Sequence, residues 1–446
     1  MIPTATTLRH RPAFPTLPLM PSSVPGWAIL ALCLAVTVAF SPNLLAIYGI
    51  HNDYEMLHFK SFTFLHPEAE EQFAIARPLA ALFTNLTILP VDTLSDYRWT
   101  RLFSLMTLCL LGAQLMSICL RRLGTRTWDA VVIALATFLV PPFIYSVLAA
   151  SAWTLHLLTI LLAFVAYTIL SKSNVLLLSF LLHGPGRRNP RLLLSQALQY
   201  AKLTPVWLSC IVCQLAFYDY PPNALILVLF PVISVLFSQW SPIYRALVAI
   251  RDMVFIAVNV VIFAVTAKFI YLPFVRLFTL LGTGVAPENA HPLVERLRTT
   301  YQFAFNFDPF AAWHRLVNVL TVTGDLWFLP QSRAHVAVGL AVAFAVAMAN
   351  IGALMGRRRA AASMGDGGWI LSRFVIDLRR VPAIVTIVVP VACFLVAAAP
   401  ILASATGFVT YRTIAIPSAF VAVVALFVVR GAVDMVWRTI GNPFAA

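Results

Sequence analysis

Charge is what this sequence has least of. Only 11% of its 446 residues are Asp, Glu, Lys or Arg, where a soluble domain carries about a quarter. A water-facing globular surface over the whole chain is therefore excluded. Cysteine is scarce too, and all six (Cys33, Cys109, Cys119, Cys210, Cys213 and Cys393) lie in apolar runs. None sits in a polar loop where an oxidising compartment would pair it, so no disulfide is expected. Cys210 and Cys213 form a CxxC in "WLSCIVCQLAF" with no second pair, and read as small residues packing on one helix face. "GDGG" at 365–368 has no preceding strand and no following GK[ST], so it reads as a linker rather than a phosphate loop. Internal repeats, inverted symmetry of helix lengths and heptads are lacking. The first 25 residues carry Arg9, Arg11 and prolines but no apolar core before Trp27, so the expectation is an uncleaved signal anchor rather than a removable leader.

What is present is hydrophobic: 61% of residues, in runs that recur along the whole length. Spanning helices need about 20 apolar residues each. The expectation is an all-α polytopic membrane protein of about ten transmembrane helices, at 26–47, 99–120, 129–148, 150–170, 203–219, 222–238, 253–279, 334–355, 381–402 and 414–431. A cytoplasmic tail at 1–25, a transmembrane domain over 26–431 and a cytoplasmic tail at 432–446 follow. The run at 77–90 is too short to span comfortably, and the positive-inside rule decides its status. If it lies in the outer interface, the basic loops 121–126, 183–191, 356–359 and 373–380 all fall on the cytoplasmic side. That places 20 of the 31 Lys and Arg inside, against 5 of the 17 acids. The net charge of +14 thus follows the membrane loops, and nucleic acid is not the expected partner. The outer side then holds two large segments, 48–98 and 280–333.

The acids gather outside. Solvation of long loops accounts for most of them, yet the stretch "IYGIHNDYEMLHFKSF" at 47–62 stands apart. Asp53 lies just past the end of the first span, and aromatics interleaved with polar groups after it suggest an interfacial helix. A partly desolvated carboxylate there suits proton abstraction from a hydroxyl. Arg77 begins the 77–90 segment, and Asp96, Arg98 and Arg101 stand at the outer end of the next span. Asp219 sits in "AFYDYPPNA" and Arg412 in "TGFVTYRTIA", both at outer span ends. An interfacial arginine is suited to gripping a phosphate with its planar fork of donors. Snorkelling is the plainer reading of Arg412. His51, His58 and His66 surround Asp53 and Glu55 in a pattern that matches no strong metal spacing, so no cofactor is certain and a divalent metal is left open.

These motifs resemble the GT-C superfamily of polytopic glycosyltransferases, which use polyprenyl- or dolichyl-phosphate sugars. The likeness covers about 25–125 and is looser afterwards. "HNDYE" stands where that family opens its first outer loop with a catalytic acid. "ARPLAALFTNLTILPVDTLSDYRWTRLF" is similar to the interfacial-helix layout of the aminoarabinose and protein-mannosyl transferases, with one proline where they have two. "YDYPP" and "TYRT" are similar to elements of bacterial O-antigen glucosyltransferases. The resemblance implies a GT-C-like helical bundle with interfacial helices in the first outer loop, and the basic loops fit a cell inner membrane. It implies an inverting transfer of a sugar from a polyprenyl-phosphate donor to a glycan or lipid acceptor. Asp53 would be the general base, and Glu55, Arg77, Arg98, Arg101, Asp219 and Arg412 would bind substrate. The aromatic-rich 280–333 segment would cover the site or bind the acceptor. The rival readings are a transporter or lipid flippase, for which Lys268 inside a span is the main feature, and a non-catalytic membrane scaffold.

Overall fold

Prolines and charges, more than propensity, decide where these apolar helices stop. The computed structural model describes residues 24–45, 77–80, 82–83, 91–93, 95–140, 142–143, 147, 153–173, 204–240, 242–271, 273–274, 309–325, 369–402 and 411–439. Every regular element among them is helical. In chain order they are α1 (Gly26–Leu45), α2 (Tyr97–Arg122), α3 (Thr127–Phe138), α4 (Thr159–Ser171), α5 (Thr204–Asp219), α6 (Pro221–Phe237), α7 (Pro242–Thr266), α8 (Pro309–Asp325), α9 (Trp369–Leu402) and α10 (Tyr411–Thr439). A π-helical turn, Trp153–Leu158, leads into α4, and another, Ala267–Tyr271, follows α7. A 3₁₀ stretch, Leu225–Val228, lies within α6.

The bundle is apolar inside and out. Leu30, Leu34 and Val38 of α1, Phe103, Met106 and Leu110 of α2, and Val254, Val258, Val261 and Val265 of α7 are exposed at helical spacing, while the opposite faces are buried. A helix that is apolar all round belongs in lipid or in a large core. Among the described residues, three helices are long and apolar enough to cross a membrane: Tyr97–Arg122, Tyr244–Tyr271 and Ile414–Gly431. Five shorter apolar helices accompany them. The chain is a membrane protein by these helices.

Ten full-length spans, the sequence expectation, are not supported. α3 ends at Phe138, short of 148. Pro141 and Pro142 follow, and a proline disfavours helical geometry in the residue before it. The span expected at 334–355 lies outside the described residues. α7 begins at Pro242 rather than 253, which draws Arg245, Arg251 and Asp252 into the helix. α9 begins at Trp369 rather than 381, and α10 runs past its expected ends to Tyr411 and Thr439. The 280–333 segment, expected as a loop, contains α8, whose Val319 packs with Ile401 of α9 and Ile414 of α10. Arg315 of α8 donates to the Leu402 carbonyl at 3.0 Å, which satisfies a carbonyl at the end of α9.

Side-chain contacts fix the directions. Thr159 meets Asp219 and Ser209 donates to the Ala166 carbonyl at 2.7 Å, so α4 and α5 are antiparallel. Gln214 pairs with Asn259 and Tyr218 with Thr266, so α5 and α7 run parallel. Tyr167 of α4 stacks on Phe230 of α6 and Phe164 meets it at a tilt, beyond the His156–Asn223 contact, so α4 and α6 also run parallel.

The two ends of the bundle differ. At one, Trp27 meets Trp128, Arg430 pairs with Asp129 at 2.7 Å, and the Gln239 amide donates to the Gly124 carbonyl. Arg121 and Arg122 close α2 there, where cations complement the helix dipole, and Arg245 donates to the Val235 and Ser238 carbonyls. At the other end lie Asp219, Tyr220, Thr266 and the start of α10.

Candidate functional site at the Asp219 end

The sequence "YDYPPNA" makes the site by breaking a helix. Pro221 and Pro222 carry no N–H, so α5 has no donors with which to continue. Tyr220 takes extended geometry, with φ −151° and ψ 98°, and α6 starts at Pro221. A proline at the first helical position loses nothing, since that N–H would have no helical partner. Asp219, the last residue of α5, and Asn223, in the first turn of α6, thus flank one break.

Facing them is the start of α4. Thr159 Oγ1 donates to Asp219 Oδ2 at 2.6 Å. Asn223 Nδ2 lies 2.7 Å from His156 Nδ1, and with the amide donating, the imidazole proton sits on Nε2. His156, Thr159, Asp219 and Asn223 are all buried. The Tyr220 ring stands between two partners. The His156 ring centroid is 5.1 Å away, and the Arg77 guanidinium carbon lies 4.6 Å from the ring centre. A cation over an aromatic face is attracted by the ring quadrupole. Ala80, one turn after Arg77, packs on the same ring. Arg77 is thus seated on the residue that directly follows Asp219. Asp219 Oδ1 and Asn223 Oδ1 are buried with no hydrogen-bond partner among the described residues.

The sequence-derived candidates divide as follows. Arg77 and Asp219, far apart in the chain, come together. Arg101 is buried in α2, which packs against both α4 and its π-helical lead-in, whereas Arg98 on the same helix is exposed. Arg412 lies in the first turn of α10, a helix that packs against the start of α6. Asp53 and Glu55 lie outside the described residues, as do His51, His58 and His66. Asp96 is committed locally: its Oδ2 accepts from the amides of Asp92 and Thr93 and from the Thr93 hydroxyl, at 3.0, 2.7 and 2.9 Å. It shapes the turn into α2. Lys268 falls in the π turn after α7, exposed, with its ammonium 5.4 Å from the Phe269 ring centre. It stands at the end of the bundle, two residues past Thr266.

Sequence reasoning missed His156, Thr159 and Asn223. The available signal was slight: His156 and Thr159 are uncharged polar residues within the largely apolar "SAWTLHLLTI", and Asn223 follows the proline pair in "YPPNA". It also missed a polar cluster nearer the basic end. Tyr167 donates to Asp252 Oδ2 at 3.0 Å, and Arg251 Nε donates to Asp252 Oδ1 at 2.9 Å, all three being buried. No group of three or more His, Cys, Asp and Glu suited to a metal occurs among the described residues. Comparison with family models, with curated proteins and with solved structures finds no match to this chain.

Proposed function

We propose that the protein is an integral-membrane glycosyltransferase of GT-C type, resident in a cell inner membrane with its Asp219 end facing away from the cytoplasm. In this reading a polyprenyl-phosphate sugar presents its headgroup at that end, and a glycan or lipid acceptor receives the sugar with inversion. The observation that carries the proposal is Arg77 seated on Tyr220, the residue that follows the buried Asp219. A cation is thereby held one residue from a buried acid at one end of an apolar bundle. Such a pair meets both halves of the substrate: the guanidinium stabilises charge developing on the departing phosphate, and the carboxylate orients sugar hydroxyls. Arg101 and Arg412 belong to elements at the same end and would add positive charge. Asp53 is the proposed general base. Orientation follows from the arginines gathered at the opposite end, as the positive-inside rule requires. About ten spans complete the reading.

The test is transfer from radiolabelled polyprenyl-phosphate hexose in membranes holding Asp53→Asn or Arg77→Ala at wild-type protein levels. The proposal expects each to lower the rate by about 10²-fold or more. Full retained transfer in Asp53→Asn removes the base, and full retention in both removes the site.

One observation favours a transporter instead. Gln214 donates to both the carbonyl and the side chain of Asn259, at 2.9 Å each, within helices α5 and α7, and Arg251 and Asp252 are buried farther along α7. Polar groups inside spanning helices often mark a transport path. Gln214 with Asn259, and Asp252 with Tyr167, are nevertheless bonded across helices, as expected of residues that hold helices together.

A further inference from the structure

Two buried acceptors at the α5–α6 break are each held by one atom and left open at another. Asp219 is anchored through Oδ2 by Thr159, which leaves Oδ1 without a donor among the described residues. Asn223 is anchored through Nδ2 by His156, which leaves its Oδ1 in the same condition. All four side chains are at most 1% exposed, so water at the surface does not satisfy either oxygen. Buried acceptors without donors are costly, and each asks for an explanation. The anchors lie three residues apart on one chain segment, about one turn, so the two open oxygens belong to one small region.

The chemistry of the missing donors can be narrowed. Two acceptor oxygens do not themselves attract an anion. A metal ion is disfavoured because no group of three or more His, Cys, Asp and Glu gathers at this place among the described residues. Neutral O–H donors remain. We infer that Asp219 Oδ1 and Asn223 Oδ1 form a paired acceptor subsite that reads two hydroxyl groups of a bound sugar, with His156 as the positioning residue that fixes the Asn223 amide. The assignment of those hydroxyls to a lipid-linked sugar rests on the transferase reading; the subsite itself rests on the open oxygens. The Asn223 and His156 pairing gives the amide one orientation, so that its carbonyl faces the ligand and its N–H₂ does not.

The experiment uses the purified full-length protein in detergent. The probes are short-chain prenyl-phosphate hexoses and pentoses, prenyl phosphate alone, and methyl glycosides of the same sugars, followed by ligand-induced changes in tryptophan fluorescence. Once the tightest-binding sugar is found, its monodeoxy analogues are compared on the wild type. Two of them are expected to bind on the order of tenfold more weakly. Asn223→Leu, close to Asn in size but without the acceptor, should erase the penalty for one of those two analogues. Asn223→Asp, which keeps an acceptor, should retain it. Uniform binding of all deoxy analogues by the wild type overturns the inference, and needs no variant to fold. So does an Asn223→Leu loss that is equal for prenyl phosphate with and without sugar, which would make Asn223 a structural residue only. If methyl glycosides show the deoxy pattern while prenyl phosphate adds no affinity, the subsite stands and the lipid-linked donor falls. If transfer proceeds from the lipid-linked sugar without regard to Asn223, the donor stands and the subsite falls.

Discussion

The Thr159 hydroxyl donates to Asp219 Oδ2 at 2.6 Å, across the antiparallel α4–α5 contact, and both residues are buried. A carboxylate in such a place needs donors, because burial disfavours its charge. Thr159→Val keeps the shape and removes one donor. We expect it to destabilise the protein by about 1–3 kcal/mol, read as a lower melting temperature in detergent, with Thr159→Ser close to wild type. Equal melting of Thr159→Val and wild type would mean that this bond holds nothing together.

Arg77 and Asp219 should behave as a coupled pair. Arg77 rests on Tyr220, the neighbour of Asp219, so each single substitution should carry a penalty that the double substitution partly relieves. Melting temperatures of Arg77→Gln, Asp219→Asn and the double variant close the cycle. The expected double loss is smaller than the sum of the single losses. Strict additivity would separate the two residues. Arg77→Lys tests Tyr220 independently, because an ammonium lacks the planar face that lies on the ring.

Gly124 follows α2 with φ +63°, the left-handed region that favours glycine. A Cβ there would stand 2.6 Å from Trp240 Nε1, inside the closest real contacts. Gly124→Ala should therefore cost about 1–2 kcal/mol, and Gly124→Val more, by thermal unfolding. Since the Gln239 amide donates to the Gly124 carbonyl, the damage should centre on the α2–α3 and α6–α7 connections. Hydrogen exchange at Gln239 reads that directly; unchanged protection would contradict it.

The Arg430–Asp129 pair ties α10 to α3 at the basic end, with both side chains part-exposed. Solvent screening limits what such a pair contributes, about 1 kcal/mol or less. Asp129→Asn should lower the melting temperature slightly, and high salt should narrow the gap to wild type. A loss of several kcal/mol would show that the pair is more enclosed than its exposure indicates.

Much of the architecture was legible as apolar runs. α1, α2, α5 and α6 begin and end within two residues of expectation, because arginines and prolines mark their limits: Arg121 and Arg122 close α2, and Pro221 opens α6. α7 was harder. Arg251 and Asp252 look like loop charges in sequence, but they pair with one another, and Asp252 also accepts from Tyr167 of another helix, which makes burial tolerable. α8 was read as loop because its buried partners, Ile401 and Ile414, belong to other helices. At the site, Arg77 and Asp219 were each visible as charges at span ends, but their meeting depends on the third dimension. His156, Thr159 and Asn223 left only the faint mark of single polar residues in apolar runs, which ordinary helix-to-helix bonding also produces.

The most direct test of the transferase reading is photocrosslinking with a polyprenyl-phosphate hexose carrying a diazirine near its phosphate, followed by peptide mapping. The account predicts adducts at the Asp219 end, in the segments around Arg77, Arg101 and 218–223, competed by unlabelled donor and reduced in Arg77→Ala. Adducts confined to the opposite end, around Arg245, Arg251 and Arg430, or unchanged by competitor, would contradict it.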